Sequence, residues 1–281
     1  MKVEEKILRD LYQELQKAKA QAKSKYQQEM IKINQTELEN RFNQSDYLLD
    51  FQDIPLDKKW LESLFKDYLS ILRKFKKDNG EFLEKLDKGF GQKELDLEVL
   101  IRKVFYFDSE YLENLAKKLK LDVEDLNFLG LYLGNPVFEL YAQRVKEKID
   151  SENWLKEFCP VCGSLPAIAY LRKEDGKRIF WCQFCATRWS FLRLKCPFCS
   201  NEDQETLRYF FTEKDDHHKV YVCDKCKKYI KTIDQRKMGK PDDLDLGWEN
   251  LNTLALDLLA QKEGFLNPYS QSKGQKRGVV T

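Results

Sequence analysis

The chain has 281 residues, 42% of them hydrophobic and 34% charged, with a formal net charge of +2; this suits about two water-soluble domains and argues neither for nor against a polyanionic partner. No apolar run approaches the roughly 18–20 residues needed to cross a bilayer. The opening MKVEEKILRD, charged from its second residue, lacks the apolar stretch of a secretory signal, so a cytoplasmic location and no membrane partner are expected.

Residues 1–150 read as one helical domain. Val3, Ile7, Leu8, Leu11, Tyr12, Leu15, Ala18 and Ala22 recur at steps of three and four, the spacing of one helix face. Trp60, Leu61, Leu64, Phe65, Tyr68, Leu69, Leu72 and Phe75 form a second stripe. Asn79-Gly80 and Gly89–Gly91 mark breaks. Short helices are expected over 94–107, 109–120 and 122–133, and a further one over 136–150, with Pro136 in its first turn. Such stripes are read as a helical core rather than a cofactor site.

After Ser151 the pattern becomes extended. LPAIAYLRKEDGKRIFWC holds two apolar runs around Asp175-Gly176, a hairpin signal, and ETLRYFFTEKDDHHKVYVC repeats the plan. All eight cysteines lie between Cys159 and Cys226, in four C-x-x-C pairs. CPVCGS at 159 parallels CPFCSN at 196, and WCQFC at 181 parallels VCDKC at 222, so one unit is written twice. A first module is expected over 151–194, a second over 195–241, a helix within 242–269 bearing Leu251, Leu254, Leu258 and Leu259 on one side, and a disordered tail over 270–281. The fold class is α+β, an all-helical N-terminal domain followed by two tandem ribbon modules and a C-terminal helix.

A reducing compartment makes paired cysteines metal ligands or redox groups rather than disulfides. A redox pair draws its low thiol pKa from a helix that starts at the first cysteine. Cys162 is instead followed by Gly163, Ser164 and Pro166, and Cys199 by SNEDQET, each leading into a strand pattern. A metal knuckle needs only a tight turn. The ends of each hairpin then supply two sets of ligands: Cys159, Cys162, Cys182 and Cys185, and Cys196, Cys199, Cys223 and Cys226. The first intervening segment lies within the usual ribbon spacing, and the second fits a longer turn; a cross-braced pairing stays open. Each set makes a closed four-thiolate site, structural rather than catalytic, for two metal ions per chain, iron or zinc.

His217 and His218 fall in the second hairpin's turn and are expected to be solvated, metal relay being the alternative. Residues 151–240 carry 18 Lys and Arg against 12 Asp and Glu, and two tetrathiolate ions would remove about four of those positive charges. That leaves a weak footprint for nucleic acid, and KCKKYIK at 225–231 reads as a solvated face. No nucleophilic triad, paired acids or phosphate-cradling loop points to an enzyme or to a small-molecule substrate.

The stretches CPVCGSLP, WCQFCATRW, LRLKCPFC, VCDKCKKYIKTID and LNTLALDLLAQKEGFLNPY resemble the formate dehydrogenase accessory protein family, FdhE, over roughly residues 150–270. The N-terminal half resembles it only through its helical plan and GNPVFEL. Ser190 departs from the pattern, which often has a histidine after the tryptophan. The resemblance implies two rubredoxin-type modules that bind iron. It also implies a non-catalytic cytoplasmic, chaperone-like protein that binds the catalytic subunit of formate dehydrogenase and is needed for that enzyme's maturation. Three other classes remain in play: rubredoxin-like electron transfer, zinc-ribbon binding to nucleic acid, and a thiol oxidoreductase using the CPxC pairs.

Overall fold

A computed structural model describes residues 2–26, 35–43, 47–49, 54–75, 80–213, 215–238 and 244–268. The chain divides into two compact units, Met1–Ile33 with Asp50–Gln143, and Asn34–Leu49 with Arg144–Thr281. A segment of the N-terminal half thus goes with the cysteine-bearing half, and the division falls before residue 150.

The first unit contains α1 (Lys2–Lys25), α3 (Lys58–Phe75), α4 (Gly80–Gly91), α5 (Leu97–Phe105), α6 (Ser109–Leu119) and most of α7 (Val123–Val145). The second apolar stripe becomes the buried face of α3: Leu61, Leu64, Phe65, Tyr68, Leu69 and Leu72. α1 meets it through Ala22, whose carbonyl accepts from Trp60 Nε1 at 2.8 Å, while Tyr26 packs edge-on to the Trp60 ring. Asp96 and Asp108 cap α5 and α6 by accepting from Val99 N and Tyr111 N, which satisfies amides that have no intrahelical partner.

The expected break at Gly134-Asn135-Pro136 does not occur. α7 runs through Pro136, although proline removes one amide from the helix ladder. Packing decides: Leu126, Leu129, Leu133, Val137 and Phe138 are at most 1% exposed, and Phe138 stacks on Phe105 at 4.7 Å. Gly130 and Gly134 allow close approach, since a Cβ there would meet Val104 and Ile101 at 2.6 and 3.0 Å.

Among the described residues, the second unit holds α2 (Gln35–Asn43), six strands and two short α-helices, α8 (Leu246–Asn252) and α9 (Leu254–Lys262). The strands are β1 (Ile168–Leu171), β2 (Arg178–Trp181), β3 (Arg188–Phe191), β4 (Leu207–Thr212), β5 (Asp215–Cys223) and β6 (Tyr229–Asp234). They form one sheet in the order β3-β2-β1-β6-β5-β4. Each module is therefore a three-stranded antiparallel meander, not the expected hairpin; its third strand follows the second knuckle. The modules join through a parallel β1–β6 pairing, with Ala169 opposite Thr232 and Leu171 opposite Asp234.

Alternation along the strands separates two faces. Ile168, Tyr170, Ile179 and Ile233 share one cluster with Leu244 and Leu246. Val220, Val222 and Tyr229 share another with Leu256, Ala260 and Phe265. The polar members of this face bond to helix carboxylates: Lys231 Nζ to Asp257 at 2.6 Å and Tyr229 Oη to Asp257 at 2.8 Å. On the opposite face Phe180 stacks on Phe191 and meets Trp189 edge-on, and buried Asp234 pairs with Lys219 and Arg236.

Two expectations at the C-terminus are corrected. The single helix within 242–269 is two, broken at Thr253, with Asp245 capping α8. Its buried side is Leu256 and Ala260, whereas Leu254 and Leu258 are 52% and 68% exposed, because the break turns the leucine stripe away from the sheet. The tail over 270–281 lies outside the described residues.

Candidate metal centres

Each C-x-x-C pair sits in the same turn, and all four turns close with the same two hydrogen bonds. The amide after the second cysteine donates to the first cysteine's carbonyl: Gly163 to Cys159, Ala186 to Cys182, Ser200 to Cys196 and Lys227 to Cys223, at 2.8–3.1 Å. The first cysteine's amide then donates to the carbonyl of Ser164, Thr187, Asn201 or Lys228, also at 2.8–3.1 Å. The turn requires φ of +69° at Gly163, +57° at Ala186, +55° at Ser200 and +56° at Lys227. Three of these are not glycine, and each bears a conformational cost of about 1–2 kcal/mol.

The hairpins bring the knuckles together in sequential order rather than cross-braced. Cys159, Cys162, Cys182 and Cys185 place their sulfurs within 4.8 Å of one another, as do Cys196, Cys199, Cys223 and Cys226. Within the first group Cys159–Cys185 and Cys162–Cys182 are 3.5 Å apart. In the second, Cys196–Cys226 and Cys199–Cys223 are 3.7 Å apart. Disulfide sulfurs would lie about 2.05 Å apart, whereas a tetrahedral ion about 2.3 Å from each ligand sets neighbouring sulfurs about 3.8 Å apart. Both groups fit a tetrahedral thiophilic ion and could hold one each.

The electrostatics agree. Burial pushes Cys159 and Cys185 well above the ordinary thiol range; the neighbouring thiols add to the rise at Cys159, whereas at Cys185 the bond with Cys159 opposes it. In the second group a bond to Cys226 raises Cys196, and the same contact lowers Cys226 to about 5. Four thiolates in so small a volume need a cation beside them.

Small polar side chains surround the sulfurs, and the sequence reading missed them. Ser164 Oγ is 3.3 Å from Cys162 Sγ, and Thr187 Oγ1 is 3.1 Å from Cys185 Sγ. Asn201 Nδ2 lies 3.6 Å from Cys223 Sγ, and the Phe198 amide points to Cys196 Sγ at 3.5 Å. The signal was available: Ser164, Thr187 and Asn201 each stand two positions after the second cysteine of a knuckle. Such partners orient sulfur ligands and tune their basicity.

The first group has a support from far upstream. The amides of Leu48 and Leu49 donate to the carbonyls of Pro160 and Val161 at 3.0 and 2.8 Å. The Tyr47 ring covers Gly163 so closely that a Cβ there would lie 2.6 Å from Tyr47 Cδ1. Gly163→Ala must displace that ring and hold alanine at positive φ, so it should cost about 2 kcal/mol. Denaturant titration of the variant should show it, with α1 and α3–α7 unaffected.

Two further readings of the sequence change, at His218 and in the basic run. His218 is not a solvated turn residue: it is 7% exposed, with Nδ1 2.6 Å from Asp215 and Nε2 2.8 Å from Glu249. Burial opposes its protonation, but the bonds to Glu249 and Asp215 outweigh this and raise its pKa. Of the basic run 225–231, Lys225 and Lys227 are exposed but Lys231 is buried in its pair with Asp257. Ser190, where the family pattern often has histidine, is buried, and its amide donates to Ser151 O at 2.8 Å.

Residues 158–193 match the family model described as FdhE, central domain, and residues 194–270 match FdhE, C-terminal domain. A protein FdhE homolog of Aquifex aeolicus is 34% identical over 173 residues, covering 56% of this chain and 59% of that protein. Protein FdhE of Salmonella arizonae is 26% identical over 229 residues, covering 79% of this chain and 68% of its own. The crystal structure of the FdhE protein from Pseudomonas aeruginosa superposes with a TM-score of 0.62 over 95% of this chain and 86% of that one, at 16% identity, a likeness of fold. Two four-cysteine modules in consecutive order, over residues 158–270, therefore match the FdhE central and C-terminal domain models.

Proposed function

We propose that this protein is a cytoplasmic accessory factor that binds the catalytic subunit of a formate dehydrogenase and is needed for that enzyme's maturation and activity. The observation that carries the reading is the pair of closed four-sulfur groups within modules that match FdhE. When filled, each group satisfies its ion with protein sulfur alone and offers no coordination position to a substrate. Cys159, Cys162, Cys182 and Cys185 would hold one iron or zinc ion, and Cys196, Cys199, Cys223 and Cys226 the other. The ions' task is to fix the knuckles and the strands between them, and through them the surface that a partner reads. The protein itself would have no turnover. No helix among the described residues is long and apolar enough to cross a membrane.

Two experiments test this reading. A strain lacking the gene should lose formate dehydrogenase activity while still making the catalytic subunit; full activity, in an organism without a second copy, would refute the role. The two groups should also differ in lability. All four sulfurs of the first are buried, whereas Cys199 and Cys226 of the second are part-exposed. A competing chelator should therefore remove one equivalent quickly and the other slowly, with the fast phase absent from a Cys199→Ala/Cys226→Ala variant. A single phase for both ions would contradict the assignment.

A further inference from the structure

Among the described residues, one further set of side chains outside the cysteine groups can converge on a cation. Asp215, His217 and His218 place a carboxylate oxygen and two ring nitrogens within 4.8 Å of one another. Asp215 Oδ1 is 3.1 Å from His217 Nδ1, and Oδ2 is 2.6 Å from His218 Nδ1. Consecutive strand residues normally point to opposite faces, yet these two rings lie 4.4 Å apart. The pairing of β4 with β5 shifts register between Phe210 and Thr212, opposite this end of β5, and such bulges re-aim side chains. The carboxylate is itself held, since the His218 amide donates to Asp215 Oδ1 at 3.1 Å.

From these contacts we propose that Asp215, His217 and His218 form a third metal site, open to solvent, for a borderline divalent cation of the Zn²⁺, Co²⁺ or Ni²⁺ type. Two imidazoles and one carboxylate are the donor set such ions accept. The site has the outer partner that metal-bound histidines normally have: His218 Nε2 faces Glu249 at 2.8 Å, so Nδ1 can ligate while Nε2–H donates to a carboxylate. Asp215 and His217 are each about one-third exposed, which leaves one side free for water to complete the coordination. The ion would displace the proton shared by Asp215 and His218 Nδ1, releasing it to solvent, and would tie the β4–β5 hairpin to α8 through Glu249. The site is independent of the accessory role and uses no cysteine.

The test uses the full chain with both cysteine groups filled, titrated with Co²⁺ and followed by visible absorption and calorimetry. One additional equivalent is expected, with d–d bands of nitrogen and oxygen ligation and without the sulfur-to-cobalt charge-transfer band. His217→Ala, at a part-exposed position, should weaken that binding about 10- to 100-fold, and Glu249→Gln should weaken it by a similar factor through His218. Circular dichroism should be unchanged in both. No uptake beyond the cysteine groups, uptake with sulfur bands alone, or full affinity in His217→Ala would overturn the proposal, leaving an ion-paired imidazolium only. A sulfur band would instead report on the cysteine groups, so failure of that assignment is visible separately.

Discussion

Replacing Cys159 and Cys162 with alanine is expected to remove one of two metal equivalents and to unfold the first module, with damage reaching the second. Each module is a three-stranded meander of only about 40 residues, near the size at which a core alone cannot hold a fold. Metal binding in comparable small domains supplies on the order of 10 kcal/mol. Without it, the positive-φ turns and the close-packed thiols have nothing to offset them. The sheet makes the two modules one structure: β1 of the first pairs with β6 of the second, and Leu244 and Leu246 pack on both. The second module's metal should therefore become more labile in this variant than in the wild type. Elemental analysis after anaerobic purification should read one equivalent, and the helical signal of α1 and α3–α7 should persist in circular dichroism. Two retained equivalents would contradict the ligand assignment.

The second large effect is expected in cells. Cys182→Ala/Cys185→Ala and Cys223→Ala/Cys226→Ala should each lower formate dehydrogenase activity toward the level of a deletion strain. Each pair removes half of one ligand set and the knuckle that precedes β3 or β6. Loss of β6 order would split the sheet in the middle, so the Cys223/Cys226 variant should be the more severe. Equal, full activity in both would mean that the modules are dispensable for the role. Immunoblots must show the catalytic subunit at normal level, so that the effect is read as maturation rather than synthesis.

What the sequence disclosed follows from the range of the forces involved. Knuckles and their sequential grouping were legible because C-x-x-C and the hairpin between pairs are local chemistry. The stripe of α3 was legible because one face of a helix repeats every few residues. The continuation of α7 through Pro136 was not, since it depends on Phe105 stacking on Phe138 and on Val104 and Ile101 reaching Gly130 and Gly134. The third strand of each meander is short, and its partners lie across a knuckle. His218 reads as a turn residue because its polar neighbours suggest solvent, while Glu249, which holds it from 31 positions away, has no local signal. The seating of Leu48 and Leu49 on Pro160 and Val161 is likewise long-range. The leucines of 251–259 misled for the opposite reason: a regular spacing presumed one helix, and Thr253 ends it.

Physical association with the catalytic subunit is the decisive property to measure. Purified chain with both metals in place, mixed with a formate dehydrogenase catalytic subunit and run on size-exclusion chromatography with light scattering, should give a complex with the summed mass. The Cys223→Ala/Cys226→Ala variant should leave the two proteins separate. Separate elution of the metal-filled wild type, across immature and mature forms of the subunit, would mean that the protein does not act by docking to it.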